Sequence, residues 1–124
     1  MIALDSSAII DILAGTKKGE QIKKKVSEEA LAVTSISVNE VLIGAKERER
    51  NKIHEFFENL DILSFDAASA FKSVEIEESL SKRGTKIGKM DIFIASICLV
   101  NNLPILTSDN HFKFVNELKV ISIK

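Results

Sequence analysis

IALDSSAII, residues 2–10, is the stretch of sequence that decides the fold class. Its first three residues are apolar and end at Asp5, which predicts a short buried strand. Ser6 and Ser7 then supply a helix cap before a second apolar run, residues 8–13, which predicts a helix. A buried strand that passes directly into a helix is typical of α/β proteins with a parallel sheet.

The same alternation of strands and helices continues along the chain. Further apolar runs predict strands at residues 31–34, 61–65, 104–107 and 120–123, with helices between them. Asp66 is a candidate cap for a long helix that ends near Gly84, and the apolar residues predicted to form its buried face are Ala67, Ala70, Phe71, Val74 and Leu80. We therefore expect an α/β fold: a three-layer α/β/α sandwich with a central, mainly parallel sheet of four to five strands.

Length and composition limit the class of protein. The chain has 124 residues, of which 45% are apolar, and this is enough for one compact domain spanning residues 1–124. Its formal net charge of -1 provides no global basic field, so any nucleic-acid contact must come from a local patch. A single cysteine is consistent with a reducing compartment, and no apolar run approaches the roughly 18 residues of a membrane span. These features predict a soluble, cytoplasmic protein with no membrane association.

Four acidic residues that are distant in sequence are candidates for one site: Asp5, Glu40, Asp91 and Asp109. Each lies at the carboxyl end of a predicted strand or in the first turn of a helix. Parallel sheets bind ligands at the carboxyl ends of their strands, so Asp5, Glu40 and Asp109 are expected to meet there. Asp91 opens the helix that leads into the fourth strand, and its placement at the same edge does not follow from this rule alone.

Each acid also has a purely structural interpretation. Glu40 can complete a capping box with Ser37, and Asp91 can complement a helix dipole. Asp109 lies in a composition that is common in turns, and Asp5 can be a simple loop residue. For no single acid does a functional role outweigh the structural interpretation. Four acids at one sheet edge, however, favour a shared site.

Four short motifs resemble those of PIN domains in order and approximate spacing. They are Leu4-Asp5-Ser6-Ser7-Ala8-Ile9-Ile10, Ser37-x-x-Glu40, Asp91-Ile92-Phe93-Ile94-Ala95 and Leu106-Thr107-Ser108-Asp109-Asn110-His111-Phe112. Within that family the chain is most similar to the small VapC-like ribonuclease toxins of toxin–antitoxin pairs. It departs from the family pattern in two places: Ser6-Ser7 replaces the commoner threonine-asparagine or threonine-serine pair after Asp5, and no further acid stands at Asn110 or His111.

The resemblance implies a metal-dependent ribonuclease. Asp5, Glu40, Asp91 and Asp109 match the acidic catalytic and metal-binding site of the family, and Ser7 and Thr107 match hydroxyl positions beside it. Carboxylates held close together repel, and a hard divalent cation such as Mg²⁺ or Mn²⁺ relieves that repulsion and activates water against a phosphodiester. The resemblance also implies an RNA substrate, a cognate antitoxin that covers the acidic groove, and a homodimer.

Basic residues are needed beside an acidic site if RNA is to approach it. The segment from Lys82 to Lys89 contains four cations, of which Lys86 and Lys89, in a glycine-containing loop, are the candidates for contact with a phosphate backbone. Lys82 and Arg83 are equally well explained as solvated side chains at the end of a helix, where positive charge is favourable to the helix dipole. The histidines and the cysteine are assigned no functional role. Both histidines, His54 and His111, are interpreted as surface or packing residues, and Cys98 is interpreted as a core residue.

Other classes of function are compatible with acids at a sheet edge. A receiver-like phosphoryl-transfer protein would need an acidic nucleophile near the middle of the chain, where Asp61 and Asp66 fit poorly. A phosphatase with an aspartyl nucleophile would need a second acid at position 7, which is a serine. The remaining alternatives are a PIN-domain RNA-processing nuclease that is not a toxin and a catalytically silent binding module of the same fold.

Overall fold

The structure is a computed structural model that describes residues 1–123. These residues form five strands and six α-helices. The strands are β1 (Ile2–Leu4), β2 (Leu31–Thr34), β3 (Asp61–Leu63), β4 (Ile105–Thr107) and β5 (Val120–Ser122). The helices are α1 (Ser6–Ala14), α2 (Lys17–Lys25), α3 (Ser35–Ile43), α4 (Arg50–Glu58), α5 (Ala67–Lys82) and α6 (Lys89–Val100). Two 3-10 helices, Glu47–Glu49 and His111–Phe114, precede α4 and follow β4.

All five strands are parallel and lie in the order β3-β2-β1-β4-β5. The central strand β1 pairs with β2 on one side and with β4 on the other, where Leu4 is in register with Leu106. After β1 the chain adds β2 and then β3 on one side of the sheet. It then returns to the other side of β1 with β4 and adds β5 beyond it. The strand order therefore reverses between β1 and β4, and such a reversal leaves a crevice at the carboxyl ends of the two strands.

Helices cover both faces of the sheet and create two hydrophobic cores. Strand β1 shows the division, because Ile2 and Leu4 point into one core and Ala3 points into the other. The first core includes residues of α1, α2, α3 and α4, and the second includes residues of α5, α6 and the turn after β4. The expected three-layer α/β/α sandwich with a parallel sheet is confirmed.

The starts of α1 and α3 differ from the sequence prediction. Ser6 and Ser7 do not cap α1: the helix begins at Ser6, its N-cap is Asp5, and the side chain of Asp5 makes no capping bond. In α3 the N-cap is Thr34, whose hydroxyl oxygen accepts a hydrogen bond from the Ser37 backbone at 3.1 Å. The capping-box interpretation of Glu40 is therefore wrong, and Glu40 lies in the second turn of α3.

Helix α5 is correctly bounded, but of the residues predicted to form its buried face only Leu80 is buried. Asp66 caps the helix as expected by accepting the backbone N–H of Ser69 at 2.8 Å. Phe71 and Val74, predicted to be buried, are instead 77% and 56% exposed. The buried positions are Ser69, Ser73, Ile76 and Leu80. Two of these are serines that hydrogen-bond locally, to Asp66 and to the Ala70 carbonyl, so apolarity alone does not mark this face.

Helix α6 is a core helix. Six of its twelve residues are buried, and Cys98 lies among them, as the sequence predicted. Burial raises the pKa of the Cys98 thiol to about 12, which leaves the thiol unreactive at neutral pH. Among residues 1–123, no helix combines the length and apolarity required to cross a bilayer.

Candidate metal centre

Asp5 occupies the crevice between β1 and β4. It follows the last residue of β1, and only 4% of its surface is exposed. Its Oδ2 accepts hydrogen bonds from the hydroxyl of Thr107 at 2.7 Å and from that of Ser7 at 3.1 Å. Burial raises the pKa of the Asp5 carboxyl, these hydrogen bonds partly oppose the rise, and the nearby charge of Asp109 adds to it. Asp5 is thus a fixed, largely desolvated carboxylate.

Thr107 connects Asp5 to the loop after β4. While its hydroxyl donates to Asp5, its oxygen accepts the backbone N–H of Asp109 at 2.9 Å. The Asp109 carboxylate in turn accepts the backbone N–H of His111 at 2.8 Å, which folds this loop into a tight turn. The turn holds Asp109 near Asp5, as expected from the position of Asp109 two residues after a strand.

Glu40 approaches the same crevice from α3. Its Oε1 is buried and has no hydrogen-bond partner within residues 1–123. Burial is the largest influence and raises the pKa of Glu40, the Ser6 hydroxyl opposes this rise, and the charges of Asp5 and Asp91 add to it. A buried carboxylate oxygen without a donor is costly unless something outside the chain satisfies it.

Asp91 joins the cluster from the first turn of α6. Burial raises its pKa, the charges of Asp109 and Asp5 raise it further, and His111 lowers it. Helix α6 leads by a short connection into β4, and the effects of the Asp5 and Asp109 charges on Asp91 place its first turn near the carboxyl ends of β1 and β4. The structure thus brings together all four acids that the sequence singled out, including Asp91, whose position the sequence left open.

His111 is a member of this cluster that the sequence analysis missed. Its side chain is exposed, as predicted, yet its Nδ1 lies 3.4 Å from Oδ1 of Asp109 and 3.6 Å from Oδ2 of Asp91. The three side chains each place a potential ligand atom within 4.8 Å of the others. No regular ligand spacing marks His111, and the only sequence signal was its place in the same loop as Asp109.

The donor set of the cluster fits a hard divalent cation. Four carboxylates supply oxygen ligands, which Mg²⁺ and Mn²⁺ accept, and three of them have raised pKa values because burial and mutual repulsion disfavour their charge. A cation would relieve that repulsion and provide a partner for the orphaned oxygen of Glu40. Such a site can activate water and neutralise an anionic substrate.

The candidate basic residues lie on the loop before α6 and in its first turn. Lys86 is exposed, whereas the ammonium of Lys89 donates to Glu77 at 2.6 Å and lies 5.9 Å from the ring centre of Phe93. Both lysines line a cavity of about 450 Å³. Arg83, by contrast, donates to the carbonyl of Phe114 at 2.7 Å and thereby anchors the end of α5.

We expect Thr107→Val to reduce the free energy of unfolding by about 1–3 kcal/mol, because valine leaves the buried Asp5 carboxylate without its shortest hydrogen bond and the Asp109 amide without an acceptor. Urea denaturation measures the change. Thr107→Ser keeps the hydroxyl and is the control, with a smaller loss expected. Equal stability of the valine variant and the wild type would show that the hydroxyl does not organise the crevice.

Comparisons with known proteins agree with this arrangement. A family profile described as PIN domain matches residues 2–118. Ribonuclease VapC2 of Rickettsia felis is 30% identical over 94 residues, which cover 71% of this chain and 70% of that protein. The tRNA(fMet)-specific endonuclease VapC of Shigella flexneri is 25% identical over 122 residues, covering 94% and 92%. The fold is similar to that in the structure of VapBC2 from Rickettsia felis bound to a promoter DNA fragment, with a TM-score of 0.86 and 23% identity over 100% of both chains.

Proposed function

The chain belongs to the PIN-domain family, and from that membership we propose that it is a metal-dependent endoribonuclease that hydrolyses RNA phosphodiester bonds. We further propose that it is the toxin of a type II toxin–antitoxin pair. The single observation that carries the enzymatic proposal is the convergence of Asp5, Glu40, Asp91 and Asp109 on one crevice, with an orphaned oxygen on Glu40.

The catalytic and metal-binding roles are assigned within that crevice. Asp5 and Asp91 would be the direct ligands of Mg²⁺ or Mn²⁺, and Glu40 and Asp109 would be further ligands or would orient the attacking water. Ser7 and Thr107 hold the Asp5 carboxylate in place through their hydroxyls, a supporting role that fixes ligand geometry. A bound divalent cation would supply acidification of that water and neutralisation of charge on the phosphate.

Support for RNA as the substrate comes from relatives and from charge. The similar proteins of Rickettsia felis and Shigella flexneri are a ribonuclease and a tRNA-specific endonuclease. Lys86 and Lys89 provide local positive charge in the segment that precedes Asp91 in sequence, which a chain with a net charge of -1 needs in order to bind a polyanion.

Two protein partners are part of the proposal. Solved structures of similar fold include VapBC2 of Rickettsia felis and a toxin–antitoxin complex from Klebsiella pneumoniae, which supports a cognate antitoxin for this chain. A homodimer is also proposed: Phe71 and Val74 form an exposed apolar stripe on α5 that a second copy of the chain would cover.

Cleavage of RNA in the presence and absence of metal tests the enzymatic proposal. The purified protein should cleave single-stranded or structured RNA with Mg²⁺ or Mn²⁺ and should lose that activity in excess chelator. Cleavage that persists in chelator would contradict a metal mechanism, and binding of RNA without cleavage under any condition would favour a silent binding module.

Expression of the chain alone separates a toxin from an RNA-processing nuclease. A toxin should arrest growth, and co-expression of its antitoxin should restore it. Harmless expression of an active enzyme would favour the RNA-processing alternative.

Replacing both Lys86 and Lys89 by alanine should weaken RNA binding and lower the salt dependence of the binding constant. Loss of two phosphate contacts to a single strand should reduce the slope of log K against log salt by about 1.4. Fluorescence anisotropy over a series of salt concentrations measures this slope.

Two controls sharpen the lysine experiment. Glu77→Gln releases Lys89 from its ion pair and should tighten binding. Lys24→Ala with Lys25→Ala removes the same charge from an exposed face of α2 and should change the slope little. Equal effects of the two double variants would mean that RNA follows a different path.

A further inference from the structure

His111 contributes something to the crevice that carboxylates cannot, namely a nitrogen donor. Its Nδ1 lies 3.4 Å from Asp109 and 3.6 Å from Asp91, and both separations exceed the usual length of an N–H···O hydrogen bond. Within the described part of the chain, Nδ1 therefore lies close to two carboxylates without forming a hydrogen bond of usual length to either.

The position of His111 is fixed by the fold. His111 begins the 3-10 helix His111–Phe114, and the next residue, Phe112, is completely buried in the core beneath α6. The backbone N–H of His111 is bound to Asp109. The imidazole is thus presented to the crevice by an anchored turn, and a change of its side chain leaves both anchors intact.

The spacing of the donor atoms suits a single ion. Two ligands bound at about 2.1 Å lie about 3.0 Å apart when adjacent and about 4.2 Å apart when opposite. The separations of 3.4 and 3.6 Å fall between these values. All three donor atoms, from Asp91, Asp109 and His111, lie within 4.8 Å of one another, so a small closure would place them around one cation.

We propose that His111 is a nitrogen ligand of the cation in this crevice and that it gives the site a preference for first-row transition ions, such as Mn²⁺ and Co²⁺, over Mg²⁺. Imidazole binds transition ions well, whereas Mg²⁺ selects oxygen, and the affinity of mixed nitrogen and oxygen sites rises from Mn²⁺ to Co²⁺. The inference rests on the proposed function, since it concerns the ion of the same site, and it assigns that ion a ligand from outside the acidic set.

Calorimetric titration of the metal-free protein, residues 1–124, with Mg²⁺, Mn²⁺ and Co²⁺ tests the proposal. His111→Asn replaces the nitrogen by an amide oxygen that can occupy nearly the same position. It should weaken Mn²⁺ and Co²⁺ binding by at least about tenfold and Mg²⁺ binding by far less. His54→Asn changes the other histidine of the chain, which is exposed on α4, and should leave all three affinities unchanged.

A spectroscopic measurement distinguishes a ligand from a residue that only packs against the site. Electron spin echo modulation of the Mn²⁺ complex should show coupling to a nitrogen nucleus in the wild type and none in His111→Asn. An unchanged ratio of Mn²⁺ to Mg²⁺ affinity, or tight Mn²⁺ binding without nitrogen coupling, would overturn the role of His111 and leave the acidic site intact. Failure of the wild type to bind any of the three ions would overturn both proposals.

Discussion

Replacing Asp91 by asparagine should reduce RNA cleavage by about 10²- to 10³-fold or more, while the melting temperature of the metal-free protein stays equal or rises. The loss of activity is expected because asparagine cannot supply the negative charge that a direct ligand of a divalent cation requires. The gain in stability is expected because burial and the charges of Asp109 and Asp5 disfavour the ionised carboxylate in the folded state. Cleavage rates at saturating metal, together with thermal melts in chelator, measure the two effects.

A matched control separates this result from a general loss of an acidic residue. Asp61 is an exposed aspartate on the edge strand β3, outside the crevice, and Asp61→Asn should leave the cleavage rate within about twofold of the wild type, as expected for a surface change. A large loss of stability in Asp91→Asn would instead mean that the carboxylate supports the fold, as a residue that complements the dipole of α6 would.

The second large expected effect is that the free energy of unfolding of the metal-free protein depends on pH, and that a bound metal ion counteracts this dependence. Asp5, Glu40 and Asp91 have pKa values raised above their ordinary values of 3.8, 4.5 and 3.8. Between the ordinary and the raised pKa, the folded state binds more protons than the unfolded state, so the contribution of these groups to stability falls as pH rises through that window. In chelator, this contribution should therefore be largest in mild acid and smallest near neutral pH.

Metal should reverse this loss at neutral pH. A cation present at about 100 times its dissociation constant adds about 2.7 kcal/mol to stability, which corresponds to a rise of roughly 10 °C in the melting temperature of a domain of this size. Thermal melts between pH 4 and 8, with chelator or with Mn²⁺, provide the measurement. The double variant Glu40→Gln with Asp91→Asn should show a flatter pH profile and little response to metal, and a wild-type response in that variant would exclude these carboxylates as the source.

The strands and the approach of Asp109 to Asp5 were predictable because both depend on simple local rules. The stretch from Ile2 to Asp5 and the strand Leu31–Thr34 are short apolar runs that end at turn or cap residues, and the structure forms strands there. Asp5 comes immediately after the carboxyl end of β1, and Asp109 comes two residues after the carboxyl end of β4. Asp91 required one further step: a helix that leads into a parallel strand begins at the edge where that strand ends.

The predictions failed at residues whose burial or contacts do not depend on hydrophobicity. The buried face of α5 includes Ser69 and Ser73, while Phe71 and Val74 are exposed, so the apolar pattern identified that face only at Leu80. His111 was missed because its partner Asp91 lies twenty residues earlier in the chain, and no spacing rule connects the two. Contacts between distant segments are set by the packing of α6 against the turn after β4, which a single sequence does not reveal.

The hydrogen bond from Thr107 to Asp5 joins residues separated by 102 positions. Asp109 stands still later in the chain, so the four acids cannot assemble until the chain has been made as far as Asp109. A nascent chain on the ribosome, or a fragment that lacks the last two strands, would carry Asp5, Glu40 and even Asp91 without a complete site. For an enzyme proposed to attack RNA, this arrangement delays activity until the segment from Thr107 to Asp109 has been made and has packed against Asp5.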